Sequence, residues 1–203
     1  MVAVPSQPPG SAPSEESVVI RATWPMYLLL RDSLDEQGSN VRLTYLEGTL
    51  EIMSPGNAHE ETKKLLARLL EAWIQAHDLL IDGTASTTFR SEAHARGLEA
   101  DESYSKGKKP VPDLAIEVVV TPPKVDKLEV YRGLGVPEVW VFRNGKLTVN
   151  VLREAGYVPT AKSLLFPTLD VPLLASFVRL GEPQTALVKA FLAASAKPKK
   201  RRT

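Results

Sequence analysis

The stretch that most constrains the fold is Pro112–Thr121, which reads PDLAIEVVVT. Its run of aliphatic, mostly β-branched residues is typical of a strand that is buried on both faces. Side chains alternate along a strand, so Asp113 and Glu117 lie on the same face. A carboxylate is rarely buried unless a cation pairs with it or it binds a metal. The sequence therefore predicts a central strand that carries two acidic side chains on one face.

Helical and extended patterns alternate on both sides of this strand. Apolar residues at three- and four-residue spacing predict a long helix over Ala58–His77, with Asn57 as its N-cap and Glu60 as the capping-box partner. Shorter helices are expected at Trp24–Asp35, Val125–Leu134 and Pro183–Ala196. Hairpins are expected around Gly48 and around Asn144-Gly145, and further strands at Ile81–Arg90, Glu99–Tyr104 and Tyr157–Pro159. This order predicts an α/β fold with a mixed central β-sheet flanked by helices, preceded by an N-terminal helix and β-hairpin.

Composition limits the domain organisation and the class of protein. Residues 1–17 are rich in Pro, Ser and Gly and predict a disordered tail, followed by one domain over 18–180 and a C-terminal helix with a basic tail over 181–203. The net charge of +1 argues against a protein that coats nucleic acid by charge alone. There is no cysteine, which excludes disulfides and Cys–zinc sites. No apolar run of membrane-spanning length and no signal-peptide pattern occur, so we expect a cytoplasmic location and no membrane partner.

Two further charged residues are expected near Glu117. Asp101 lies on the preceding extended segment, and the loop between the two segments allows them to pair as neighbouring strands. Lys127 lies in the helix that follows, one turn beyond the Pro122-Pro123 break. Carboxylates that converge with a lysine suit Mg²⁺-dependent phosphodiester cleavage, because carboxylate oxygens hold the metal and the lysine offsets charge on the phosphate.

Each of these residues also has a structural interpretation. A strand glutamate near a helix lysine often forms an ion pair with no catalytic role. Asp113, directly after a proline, could belong to the turn that starts the strand. His59, in the first turn of the long helix, could be a solvated residue near the helix end. The basic tail over Lys197–Arg202 could be solvated or could contact phosphate weakly.

Four segments carry a family resemblance: LEIMSPGNAHEETKKLLARLL, GLEADESY, PDLAIEVVVT and DKLEVYRGLGVPEVWVFRNGKL. In order and spacing they resemble a bacterial family of uncharacterised proteins usually described as putative restriction endonucleases, whose members look like PD-(D/E)xK nucleases. The resemblance covers most of Val41–Leu169 and implies a restriction endonuclease-like core. It also implies Mg²⁺- or Mn²⁺-dependent cleavage of DNA, although that activity rests largely on the shared fold.

The resemblance also implies roles for individual residues. Asp101 matches the first metal-binding aspartate, and Glu117 matches the acidic residue of the (D/E)xK half; the main-chain carbonyl of Val118 would be a further ligand. His59 matches a recurrent histidine of the family, and either it or Glu60 would complete the site from the long helix. Asp113, in the recurrent Pro-Asp-Leu, would help to orient the site or would simply start the strand.

Two positions depart from the family pattern. Ala100 replaces the usual proline before the first aspartate, which is a small change in backbone preference. Val119 stands two residues after Glu117, where a lysine is usual, and its apolar side chain cannot act on water or phosphate. The recurrent lysine of the following helix corresponds to Lys127, whose stem spans about one helical turn and would reach the site. Lys124 is the reserve candidate.

These observations lead to three hypotheses. The first is a Mg²⁺-dependent endonuclease acting on duplex DNA, expected as a homodimer because cutting both strands favours twofold symmetry. The second is an inactive nuclease scaffold that binds nucleic acid or a protein partner, and Val119 is the residue in its favour. A carboxylate-pair hydrolase such as a glycosidase ranks last, because three Trp and five Tyr offer no clear sugar-stacking cluster.

Overall fold

The computed structural model describes residues 15–84 and 87–196, and in them the chain forms eleven strands and five helices. The strands are β1 (Glu16–Arg21), β2 (Arg42–Leu46), β3 (Thr49–Ser54), β4 (Asp82–Gly83), β5 (Thr88–Ser91), β6 (Arg96–Glu99), β7 (Glu102–Ser105), β8 (Leu114–Val118), β9 (Glu138–Arg143), β10 (Lys146–Arg153) and β11 (Gly156–Thr160). The helices are α1 (Trp24–Glu36), α2 (Asn57–Ala76), α3 (Lys127–Leu134), α4 (Val171–Ser176) and α5 (Gln184–Ser195).

The strands belong to two sheets. One is antiparallel, in the order β1-β3-β2-β6-β5. The other has the order β11-β10-β9-β8-β7-β4 and is mixed, because β8 runs parallel to β9 and antiparallel to β7. The expected mixed sheet is therefore present, with β8 inside it. The sequence did not predict the division into two sheets.

The two faces of β8 pack against different helices, as the alternation of its side chains predicts. Leu114, Ile116 and Val118 share an apolar core with α2. Ala115 shares a second core with residues of α3, which connects β8 to β9. Glu117 therefore lies on the α3 face of the strand, and any partner for its carboxylate has to come from that side.

The expected helices and hairpins are present with ends shifted by at most two residues. The Asn144-Gly145 turn has positive φ at both residues (51° and 74°), as a two-residue hairpin requires. The capping prediction for α2 is wrong. Gly56 is the N-cap and makes no side-chain hydrogen bond, while Asn57 is already the first helical residue.

Two extended segments that the sequence predicts as single strands are each divided between the sheets. Ile81–Arg90 contains β4 and most of β5, and residues 85 and 86 lie outside the described part of the chain. Glu99–Tyr104 is interrupted at Ala100 and Asp101, so that β6 ends in one sheet and β7 begins in the other. Asp101 therefore lies where the chain crosses between the two sheets.

The ends of the domain also differ from the sequence-based boundaries. Glu16 and Ser17, assigned to a tail over 1–17, already belong to β1, and residues 1–14 lie outside the described residues. The helix α5, placed outside the domain, packs Leu187 and Phe191 into the core beside α2. The basic tail over Lys197–Arg202 lies outside the described residues. No helix in the described part of the chain is both long and apolar enough to cross a membrane.

Candidate active site

The carboxylate of Glu117 is held by two side chains of α3. The Nζ of Lys127 donates to Oε2 over 2.7 Å, and the hydroxyl of Tyr131 donates to Oε1. Glu117 is 1% exposed, and the Lys127 side chain is 14% exposed. Lys127 is the first residue of α3 and Tyr131 follows one turn later, so both side chains lie on the helix face that covers β8.

Asp101 lies at the same end of β8. Its Oδ2 accepts a hydrogen bond from the backbone N–H of Val118 over 2.8 Å, and its Oδ1 lies 3.0 Å from Nε2 of His59. Both Asp101 and His59 are 1% exposed. His59 is the third residue of α2, so α2, β8 and the junction between β6 and β7 meet at this point. The structure thus brings Asp101 and His59 together, and it places Glu117 beside Lys127.

A residue that the sequence analysis assigned to the tail completes this group. The Oε2 of Glu15 lies 3.1 Å from Nδ1 of His59, and its Oε1 accepts from the N–H of Thr121 over 2.9 Å. Glu15 precedes β1, which pairs with β3 at the edge of the antiparallel sheet. No local pattern marks this residue, because its role depends on a contact with a helix 44 residues away in the sequence.

Glu51 is a second acidic residue that the sequence analysis missed. This β3 side chain is 4% exposed, and its carboxylate accepts the backbone N–H groups of Lys124 and Val125 over 3.0–3.1 Å. These two residues precede α3 directly, so Glu51 fixes the segment from which Lys127 extends. An acidic residue between apolar residues of a hairpin strand was the available signal, but nothing in the sequence connected it to the loop 73 residues later.

Three candidate supporting residues have other partners. Asp113 lies at the opposite end of β8 from Glu117, where its carboxylate contacts Nζ of Lys109 (2.6 Å) and accepts the N–H of Lys106 (2.8 Å). This contact fits the structural interpretation of Asp113, because it closes the loop before the strand. The Nζ of Lys124 donates to the main-chain oxygen of Ser17 over 2.7 Å rather than to an acidic group of the site.

Glu60 lies next to His59 but pairs with Lys63, over 2.6 Å between Oε2 and Nζ. Its Oε1 is buried and has no hydrogen-bond partner among the described residues.

Burial and neighbouring charges shift the pKa values of the buried groups. Burial and the negative charge of Asp101 raise the pKa of Glu117, although Lys127 opposes them. Burial alone would raise the pKa of Asp101, but the hydrogen bond from His59 and the charge of Lys127 outweigh it and lower that pKa. Burial would lower the pKa of His59, but its hydrogen bond to Asp101 and the charges of Asp101 and Glu15 raise it.

The same balance applies to the amine of Lys127. Burial would lower its pKa, but the carboxylates of Glu117, Asp101 and Glu51 together raise it above the ordinary value. Lys127 is therefore a cation at neutral pH. Four acidic residues, Glu15, Glu51, Asp101 and Glu117, thus interact with Lys127 or His59. The site contains more acidic than basic side chains.

The donor set is suited to a hard divalent cation that is only partly coordinated by protein. Within residues 15–84 and 87–196, no cluster of three or more His, Asp or Glu side chains could hold a metal ion. Asp101 and Glu117 are two carboxylates in a region with more acidic than basic side chains, and Mg²⁺ is commonly held by one or two carboxylates together with water and substrate phosphate. Each carboxylate would exchange a present hydrogen bond for the ion. Asp101 and Glu117 therefore fit a Mg²⁺ or Mn²⁺ ion whose remaining ligands are water and substrate.

Comparison with known proteins gives one family match. The model of the Uma2 family, described as putative restriction endonuclease, matches residues 24–179. This range contains Asp101, Glu117, Lys127 and His59, and it excludes Glu15 and all of β1. No curated protein matches the chain.

Proposed function

Because the chain belongs to the Uma2 family of putative restriction endonucleases, we propose that it is a divalent-metal-dependent endonuclease that hydrolyses phosphodiester bonds in duplex DNA. The observation that carries this proposal is the placement of two buried acidic groups and a largely buried lysine at the same end of β8. Glu117 lies 2.7 Å from the Nζ of Lys127, and Asp101 is held by the N–H of Val118 at the same strand end.

In the proposed site, Asp101 and Glu117 hold Mg²⁺ or Mn²⁺. When bound, the ion would lower the pKa of a water molecule and offset charge on the scissile phosphate. Hydrolysis forms a bond between the water oxygen and phosphorus and breaks one ester P–O bond. The ion would also relieve the repulsion that raises the pKa of Glu117, since Asp101 contributes to that rise.

The lysine role falls to Lys127, because Val119 occupies the usual lysine position and has no polar atom on its side chain. The Lys127 ammonium carries a full charge beside Glu117, and it is placed to orient water or to donate to a phosphate oxygen. His59 acts as a positioning residue, since its Nε2 contacts Asp101 directly. Tyr131 positions Glu117 in the same way from α3.

A cleavage assay with matched variants tests this proposal. Supercoiled plasmid DNA is incubated with the full chain and Mg²⁺ or Mn²⁺, and nicked and linear products are measured over time. Glu117→Gln and Asp101→Asn keep the side-chain size but remove the charge, and we expect each to lower the rate by about 10² or more. Glu61→Gln, an exposed position on α2, is the control and should cut as the parent does.

Two results would contradict the nuclease proposal. One is an absence of cleavage of DNA by the pure parent protein with either metal. The other is a Glu117→Gln variant that cuts as fast as the parent. A Lys127→Ala variant that cuts as well as the parent would instead assign the lysine role elsewhere. Light scattering of the same preparation tests the homodimer expected for cleavage of both strands.

A specific observation favours a second function, a nuclease scaffold that binds nucleic acid or protein without cutting. Every oxygen of Asp101 and Glu117 already has a protein donor, and Val119 replaces the usual lysine. Calorimetric titration with Mn²⁺ separates the two functions, because the inactive scaffold should bind the ion weakly or not at all. DNA binding that persists in EDTA and falls steeply with salt would support the scaffold.

A further inference from the structure

The carboxylate of Glu15 is held as a buried anion by groups of the candidate site. Its side chain is 7% exposed. The Nδ1 of His59 lies 3.1 Å from Oε2, and the N–H of Thr121 donates to Oε1 over 2.9 Å. His59 belongs to the start of α2, and Thr121 belongs to the segment after β8. Each of the two oxygens of Glu15 is therefore bound by a different part of the candidate site.

The position of Glu15 is suited to an anion for reasons that do not involve β1. The ring of His59 lies between the carboxylates of Glu15 and Asp101, and an ionised carboxylate can only accept hydrogen bonds. A ring nitrogen that faces an ionised carboxylate therefore has to donate to it. The N–H groups at the start of α2 add to the positive potential, since Gly56 provides no side-chain cap.

The Glu15 carboxylate lines the same small cavity as Lys127. The walls of this cavity, about 20 Å³ in volume, also include Val119 and Thr121. An anion in the place of the Glu15 carboxylate would share the cavity with the Lys127 side chain. A phosphate group presents two non-bridging oxygens in a similar arrangement to the two oxygens of a carboxylate, and charge-assisted hydrogen bonds of this kind bind either group.

The segment that carries Glu15 is attached mainly by backbone bonds. β1 is an edge strand paired only with β3, and its apolar side chains Val18, Val19 and Ile20 are 38–51% exposed. Little apolar area therefore holds the strand in place. The Nζ of Lys124 donates to the main-chain oxygen of Ser17, and this amine would become free if the segment moved.

We propose that Nδ1 of His59 and the N–H of Thr121 form a phosphate subsite, and that Glu15 occupies it as an intramolecular competitor. A phosphate group of the substrate displaces the Glu15 carboxylate and takes over its two hydrogen bonds. The inference rests on the proposed function in one respect, because it assigns the subsite to the phosphodiester backbone of the nuclease substrate.

Inorganic phosphate tests the subsite without any cleavage. The full-length parent, Glu15→Gln and Glu16→Gln are titrated with phosphate in EDTA by calorimetry. Loss of the competing charge at Glu15 should lower the dissociation constant for phosphate about tenfold, the size expected from charge-assisted hydrogen bonds. Glu16→Gln removes the same charge from the exposed neighbouring side chain and should match the parent.

Two further variants keep the test decisive. Glu15→Ala replaces Glu15→Gln if the latter unfolds, as judged by thermal melting, and should show the same gain. The double variant Glu15→Gln/His59→Gln should lose the gain. Phosphate binding that is no tighter in Glu15→Gln and Glu15→Ala, or a gain that persists without His59, would overturn the subsite.

The subsite and the nuclease proposal can fail separately. If phosphate binds more tightly to Glu15→Gln but no variant cuts DNA, the subsite stands and the nuclease proposal fails. If the parent cuts DNA and Glu15→Gln shows no gain in phosphate affinity, the subsite alone fails. Weaker binding of Mn²⁺ to Glu15→Gln would make Glu15 a metal ligand and would also overturn its role as a competitor.

Discussion

Glu102 follows Asp101 directly and carries a largely buried carboxylate on β7. Burial raises its pKa to about 7; Lys63 and Lys64 oppose this rise, and Glu71 adds to it. In the unfolded chain an ordinary glutamate ionises near pH 4.5, so the folded state binds this proton over a pH range in which the unfolded state has lost it. The free energy of unfolding therefore contains a contribution that is fully present below about pH 4.5 and is lost as the pH rises to about 7.

We predict that Glu102→Gln removes this loss, because the amide cannot ionise. At pH 8 the variant should be more stable than the parent by about 1–2 kcal/mol, a value reduced for solvent screening, and at pH 4.5 the difference should be close to zero or reversed. Urea unfolding at both pH values measures it. Glu61→Gln on the exposed face of α2 is the control. A Glu102→Gln variant that gains nothing between pH 4.5 and 8 would show that Glu102 ionises normally in the folded protein.

Sequence reasoning reached some residues of the site and missed others for a physical reason. Glu117 is identifiable because one acidic residue interrupts a buried apolar strand, and such a residue needs a partner. The family resemblance, with Val119 at the usual lysine position, suggested Lys127 of α3 for the lysine role, and the structure brings Lys127 to 2.7 Å from Glu117. Glu15 and Glu51 could not be found in this way, because each accepts a backbone N–H from a segment that is more than 70 residues away in the sequence.

The position of α3 depends on contacts at its start as well as on its own sequence. Asp126 caps the helix by accepting the N–H of Glu129 over 3.2 Å. Glu51 holds the segment one step earlier, through the N–H groups of Lys124 and Val125. Only the Asp126 cap is a local feature of the helix. The Glu51 contact ties α3 to β3, an element of the antiparallel sheet.

We predict that Glu51→Ala costs more stability than Asp126→Ala. Loss of the buried Glu51 carboxylate leaves two backbone N–H groups without an acceptor, which should lower the free energy of unfolding by about 2–4 kcal/mol. Loss of the exposed Asp126 cap should lower it by about 1 kcal/mol. Chemical unfolding of both variants measures the difference. Equal losses, or a smaller loss for Glu51→Ala, would mean that the segment before α3 does not depend on β3.

At the scale of the whole molecule, the two sheets meet where the candidate site lies. The chain passes from β6 to β7 through Ala100 and Asp101, and so from one sheet to the other. Alternating patterns indicate that a segment is extended but not which sheet it joins, so the sequence showed a single strand here. The mixed sheet was predictable because β8, α3, β9 and β10 are consecutive in the chain, and each has its own local pattern. The edge strand β1 of the antiparallel sheet was not predictable, because its mostly exposed side chains give no burial pattern.

This arrangement leads to a prediction for the stability of the folded protein. An ion that binds Asp101 and Glu117 connects the sheet junction to β8 only in the folded state, so it should raise the free energy of unfolding. At a Mn²⁺ concentration a hundred times its dissociation constant, the increase should be about 2.7 kcal/mol. Thermal or urea unfolding with and without Mn²⁺ measures this increase for the parent and for each of the variants named below. Each protein is compared with its own metal-free form, so a change in the metal-free stability of a variant does not affect the result.

Asp113→Asn is the matched control, because this aspartate lies at the far end of β8 and contacts Lys109. It should keep the full Mn²⁺-dependent increase, whereas Asp101→Asn and Glu117→Gln should lose most of it. Because the readout is stability, it applies whether or not the protein cuts DNA. If Asp101→Asn and Glu117→Gln are stabilised by Mn²⁺ as strongly as the parent, the ion binds elsewhere, and Asp101 and Glu117 are not its ligands.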